Sequence, residues 1–251
     1  MEKTLVFTHR LDLALRLVDT TSGRNVSGRN SAVLIDGKRV PFGEKEDQML
    51  IFQRLEKRAF KLTVSALNYE TAHVDVDLDT LDPRLPLLEL HLIPTGNHVG
   101  GMELLSVEGV LPGISELSAV RVGENACLIR EFDPRRKTAK VFNPHHLAMD
   151  RVCYALVDPD KGICEPFRIL RMVDDQTLKL DRVLEMPFRN YFPVTPQVLG
   201  KTEPDGSYCL RVRDDGTQAK WLIRWMENGE ARFRTVDFRK TEHPRLEEGG
   251  D

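Results

Sequence analysis

The hydrophobic pattern is sharpest between Asp47 and Tyr69, where it predicts two consecutive β-strands. Phe60, Leu62, Val64 and Ala66 alternate with Lys61, Thr63 and Ser65, the period-two signature of a strand with one buried face. The same rhythm runs through much of the chain. Leu11 to Asp19 places Leu11, Leu13, Leu15 and Leu17 on one face and Asp12 and Arg16 on the other. A polar loop from Thr20 to Asn30 follows. Ala32 to Ile35 then meets Asp36-Gly37, a two-residue hairpin signal, before Lys38-Arg39-Val40. Met49 to Phe52, Phe60 to Ala66, Ala72 to Leu78 and Leu87 to Ile93 complete six or seven strands in about 90 residues, the spacing of a β-sandwich.

Phe52, Leu55, Phe60, Leu62, Val64, Ala66 and Tyr69 occur in an order that resembles the carboxypeptidase-regulatory-like group of transthyretin-type sandwiches. The resemblance spans about residues 10–94. Two glycines of that pattern are missing, with Arg58 and Asn68 in their places. Asn tolerates positive φ better than most residues, so Asn68 is the milder departure. The resemblance implies a seven-stranded sandwich serving as an accessory or adhesion module, and it implies no chemistry.

Beyond Pro94, the stretch Thr95 to Gly101 reads as a linker. Val120–Val122, Cys127–Phe132, Thr138–Phe142, Val152–Val157, Phe167–Met172 and Thr177–Leu180 follow as short strands. Asp-, Asn-, Gly- and Pro-rich turns separate them, which suits a small barrel of the SH3-like or oligonucleotide-fold kind over 102–186. Met186 to Pro196 carries Pro187, Pro193 and Pro196, and is expected to cross the surface in extended form. A β-meander is predicted over 187–240, with Asn228-Gly229 as its strongest hairpin signal, and a charged, flexible tail over 241–251. The expected division is therefore 1–95, 102–186, 187–240 and 241–251, a mostly-β chain throughout.

Composition narrows the function classes. Hydrophobic residues at 41% and charged residues at 30% are globular values, and a net charge of −3 lacks the basic surplus of a nucleic-acid reader. No nucleic-acid partner is expected. The first apolar run is three residues long and no stretch is long enough to span a bilayer. That gives the expectation of a cytoplasmic protein, or one exported without a classical signal peptide. Asn25-Val26-Ser27 then reads as a polar loop rather than a glycosylation acceptor. Cys127, Cys153, Cys164 and Cys209 form no Cys-x-x-Cys pair, which argues against zinc and for reduced structural thiols.

Three features could carry chemistry. His73, Asp75, Asp77 and Asp79 alternate with Val74, Val76 and Leu78, a ladder that could hold a hard cation. The calcium-loop template fails there, with Thr80 at its Gly position and Pro86 at its Glu position, and the solvent face of a strand explains the pattern better. His145-His146 with Asp150 offers two helical-spaced ligands at most and no third. Trp221 and Trp225, among Arg211, Arg213, Arg224, Arg232 and Arg234, could stack on a sugar or anchor a partner, although Trp221, Ile223 and Trp225 share a strand face, as core residues do. No Gly-x-Ser-x-Gly elbow, phosphate loop or dinucleotide fingerprint is present. No cofactor is expected, and the reading leans away from an enzyme. The leading expectation is an interaction or scaffold protein with protein partners in a larger assembly, of phage-tail-like or contractile injection type. A carbohydrate-binding module is second, and an enzyme with a site of scattered residues third.

Overall fold

The computed structural model describes residues 11–56, 58–95, 103–143, 149, 153–187, 191–214, 220–240 and 244–246. The described chain is all-β apart from two 3-10 turns, at Gly28–Asn30 and Leu78–Thr80. Among the described residues no helix is long and apolar enough to cross a membrane. The chain divides into two compact units, Met1–Asp19 with Asn25–His98, and Thr20–Arg24 with Val99–Asp251.

The first unit holds β1 (Leu13–Asp19), β2 (Ser31–Ile35), β3 (Lys38–Arg39), β4 (Gly43–Glu44), β5 (Leu50–Phe52), β6 (Ala59–Ala66), β7 (Ala72–Asp77) and β8 (Leu87–Leu92). They form two four-stranded sheets, ordered β4-β5-β1-β8 and β3-β2-β6-β7, with β1 and β8 parallel. Leu13, Leu15 and Leu17 of one sheet and Phe60, Leu62 and Val64 of the other share a single buried cluster. The alternation read from sequence is thus the alternation between core and outer face. The Asp36-Gly37 hairpin is formed, with φ of 49° and 79°, the left-handed pair its tight turn requires. Asn68 takes the left-handed φ of 68°, and Tyr69 N–H donates to Ala66 O across that turn. In the preceding turn the left-handed residue is Arg54 (φ 60°).

The second unit holds β9 (Glu103–Val110), β10 (Ile114–Arg121), β11 (Cys127–Asp133), β12 (Thr138–Phe142), β13 (Cys153–Asp158), β14 (Ile163–Asp174), β15 (Thr177–Leu180), β16 (Phe192–Leu199), β17 (Lys201–Thr202), β18 (Ser207–Asp214), β19 (Lys220–Glu227) and β20 (Glu230–Asp237). Nine of these make one sheet, β11-β12-β15-β14-β13-β16-β10-β19-β20, and β17-β18-β9 make another. A further pairing of β11 with β16 closes the first six strands of the large sheet into a ring. Its interior is filled by Ile129, Val141, Tyr154, Leu156, Phe167, Leu178 and Val194. The remaining strands, β10, β19 and β20, face β9 and β18 over a second cluster that includes Val107, Leu117, Tyr208, Leu210, Ile223 and both tryptophans.

The proline-bearing segment behaves differently from its sequence reading. The C-terminal part of the stretch read as a surface crossing, residues 192–196 of 186–196, lies in β16, the strand that closes the ring and joins it to β10. The strand changes partners along its length: 192–194 pair with β11, 194–196 with β13 and 197–199 with β10. Pro193 therefore lies opposite β11 alone and Pro196 opposite β13 alone, so neither has to donate on both sides. Because β16 and β10 are neighbours, the strands expected as a central barrel and those expected as a meander share one continuous sheet. Within the stretch expected to be a flexible tail, Pro244 and Leu246 are buried.

Candidate functional site

The aspartate ladder sits on β7, an edge strand paired to β6, with Lys61 opposite Asp75 and Thr63 opposite His73. His73, Asp75, Asp77 and Asp79 are all exposed. The ladder stops early, because the strand ends at Asp77 and Asp79 falls in the 3-10 turn. Asp77 Oδ1 caps that turn by accepting from Asp79 N–H at 2.9 Å, and Asp79 Oδ1 accepts from Arg58 at 2.6 and 3.0 Å. His73 Nδ1 meets Thr63 Oγ1 at 3.0 Å. His73, Asp77 and Asp79 are committed to a cross-strand bond, a cap and an ion pair, and among the described residues no three His, Cys, Asp or Glu converge on a point. His145, His146 and Asp150 lie outside the described residues.

Trp221 and Trp225 occupy the inner face of β19, each only 6% exposed, packed with Ile223 between them. Neither presents an indole face to solvent. Both indole N–H groups are buried with no acceptor, an uncommon condition for tryptophan. The surrounding arginines are distributed among carboxylates: Arg211 with Glu108 at 3.8 Å, Arg224 with Glu116 at 3.1 Å, and Arg232 with Glu227 and Glu230 at 3.6 and 3.0 Å. Arg213 Nε donates to Thr21 Oγ1 and Arg234 to Arg245 C=O, so among the described residues these arginines are spread over separate partners.

A compact polar group without a sequence signal lies at a bulge in β10, between Ser115 and Ser118. Glu116 has φ 49° there and reaches the Arg224 guanidinium, whose other contact is Met226 Sδ at 3.1 Å. Ser118 is directly across the strand from Arg224 and its buried hydroxyl has no partner. On the same side Cys164 is buried, and burial pushes its thiol up to about 12 despite the opposing pull of Arg224. Burial alone does the same to Cys127. Such thiols stay protonated and are poor nucleophiles. Among the described residues no base is hydrogen-bonded to Ser118 Oγ, the contact that nucleophile activation needs. None of the four cysteines is in a disulfide, and Cys209 Sγ donates to Glu108 Oε1 at 3.4 Å.

Apolar exposure is concentrated at the outer end of β14. Leu170, Met172 and Val173 are 61%, 46% and 51% exposed, just before the turn into β15. Two register irregularities, between Ile169 and Arg171 and between Met172 and Asp174, bend the strand here. The sequence signal was the loss of alternation: Ile169-Leu170-Arg171-Met172-Val173 has apolar residues on both faces of a strand. On the same ring Phe142 and Tyr191 meet edge to face at 6.4 Å, with Arg130 over the Tyr191 ring. In the first unit a shallow, open groove of about 430 Å³ runs along Pro41–Lys45, Ile51 and Gln53. Its acidic member, Glu44, is already engaged by Ser27 Oγ and Gly28 N–H.

No family model and no curated protein matches the chain. Among solved structures, extracellular domains 3–5 of Drosophila OTK are similar at 8% identity, covering 91% of this chain and 96% of that one with a TM-score of 0.15. A score that low carries no argument about fold or function.

Proposed function

We propose that this protein is a non-enzymatic interaction module that docks into a larger protein assembly through the β14–β15 hairpin. The observation that carries the reading is the exposure of Leu170, Met172 and Val173, three large apolar residues within four positions. Scattered apolar residues are ordinary on a surface, whereas a cluster at a strand end, next to a turn, is what a protein contact covers. Two β units in series, the first read as an accessory sandwich of transthyretin type and the second carrying a ring read as SH3-like or oligonucleotide-fold-like, suit an adaptor of the phage-tail-like or contractile injection kind. The carbohydrate-binding alternative rests on the sandwich and on two tryptophans available to stack on a sugar. Both are buried, so no observation favours it.

The test uses a photo-crosslinking residue at Leu170 and, as a control, at Lys38. Crosslinking in native host lysate is expected to trap one partner in stoichiometric yield from Leu170 and none from Lys38. The triple change Leu170→Ser, Met172→Ser, Val173→Ser is expected to abolish co-purification while the thermal midpoint holds. A strict monomer by native mass, with equal crosslinking at both sites, would defeat the reading.

A further inference from the structure

The short segment Pro244-Arg245-Leu246 lies outside any strand and is held against the strands of the second unit. Pro244 and Leu246 are buried and Arg245 between them is exposed. Leu246 N–H donates to the Tyr208 hydroxyl of β18 at 2.9 Å, and Arg245 C=O accepts from the Arg234 guanidinium of β20. Its two bonds thus go to strands of different sheets, and the Leu246 side chain packs in the cluster of Tyr208, Trp221 and Trp225. Aromatic floors with a tyrosine hydroxyl and indole N–H groups are the usual receptors for extended, proline-containing peptides, because those groups read the backbone of a chain that makes no internal bonds. Here the segment engages the tyrosine, and in the same cluster the indole N–H groups of Trp221 and Trp225 are buried without an acceptor. An occupant that satisfies only part of the receptor's hydrogen-bonding groups holds it less tightly than one that satisfies all.

We propose that the Tyr208–Trp221–Trp225 face is a peptide-binding groove, closed in cis by Pro244-Arg245-Leu246 and open in trans to an extended Pro-x-Leu segment of a partner protein. The partner's chemistry follows from the cis occupant: proline and leucine two apart, a solvent-facing residue between them, and backbone carbonyls free to accept. This inference is independent of the β14–β15 hairpin, and its test reads only the groove.

Two measurements on the full chain decide it. In the wild-type protein, amide hydrogen exchange is expected to be at least 100-fold faster at Leu246 than at Leu222 and Ile223 of β19, because the strap opens locally. Exchange of Leu246 only together with β19, by global unfolding, would overturn the proposal. Second, the full-length Leu246→Asp variant is expected to bind a fluorescent peptide of the sequence 241–251 at least tenfold more tightly than wild type does, as the cis competitor is gone. The same peptide with its leucine replaced by aspartate is expected not to bind. Absence of binding with β19 amides still protected would overturn the groove. Loss of β19 protection in Leu246→Asp would do so as well, since the strap would then be an inseparable part of the core.

Discussion

Single residues in this chain separate into those whose environment is satisfied and those whose environment is not. Ser118 keeps a buried hydroxyl with no partner, so Ser118→Ala removes a desolvation cost and no bond. Its unfolding free energy is expected to be unchanged or higher, within about 1 kcal/mol, when measured by urea titration. Gly206 is the opposite case. Its φ is +88°, and a Cβ there would lie 2.9 Å from Leu111 O and 3.2 Å from Pro112 Cα, both backbone atoms that cannot swing aside. Gly206→Ala should therefore cost about 1–3 kcal/mol in the same titration, from strain in a left-handed residue. The buried thiols add a pH dependence. Cys127 and Cys164 are raised from 9.0 to about 12, so the folded state holds the thiol proton more tightly than the unfolded state. The stability they contribute is complete below pH 9 and is lost as pH rises towards 12. Unfolding midpoints are expected to fall as pH rises above 9, and to fall less steeply in Cys127→Ala. An equal slope in the variant would show that the thiol is not responsible.

At the scale of elements, local chemistry made the turns legible and left the pairings hidden. Asn228-Gly229 is the hairpin between β19 and β20, with φ of 52° and 86° and Glu227 opposite Glu230. A Cβ on Gly229 would meet nothing within 4 Å, so Gly229→Ala costs only the conformational penalty of positive φ. That is about 1 kcal/mol, smaller than at Gly206, and the comparison of the two variants isolates the steric part. Strand content was readable from Phe60, Leu62 and Val64 because only alternation separates core from solvent in a half-buried strand. The tryptophans were readable as core for the same reason. The aspartate ladder misled in its last rung, since alternation in sequence continues through Asp79 after the strand has ended at Asp77. Arg224 and Glu116 had no signal at all, because a bulge in β10 brings them together from 108 positions apart.

The arrangement of the whole second unit rests on pairings that no local pattern encodes. The ring is closed by β16, whose Pro193 and Pro196 argue locally against a central strand, yet each lies where the strand is changing partners. Long-range closure of this kind has to be formed against chain entropy before its contacts reward it, and the residues that matter are those touching both neighbours. Val194 is such a residue, fully buried, opposite Cys127 on β11 and Leu156 on β13. Val194→Ala removes two methyl groups from the ring interior and should cost about 2 kcal/mol or more, combining transfer and cavity effects. Its distinguishing mark is distribution: hydrogen-exchange protection should fall in β11 and β13 as well as in β16, because both lose the neighbour that completes the ring. Leu62→Ala, an equally buried change in the core of the first unit, is expected to leave β11, β13 and β16 at wild-type protection under the same conditions. If Val194→Ala loosened β16 alone, closure would contribute nothing to the stability of the ring, and the six strands would be better regarded as an open sheet whose ends happen to touch.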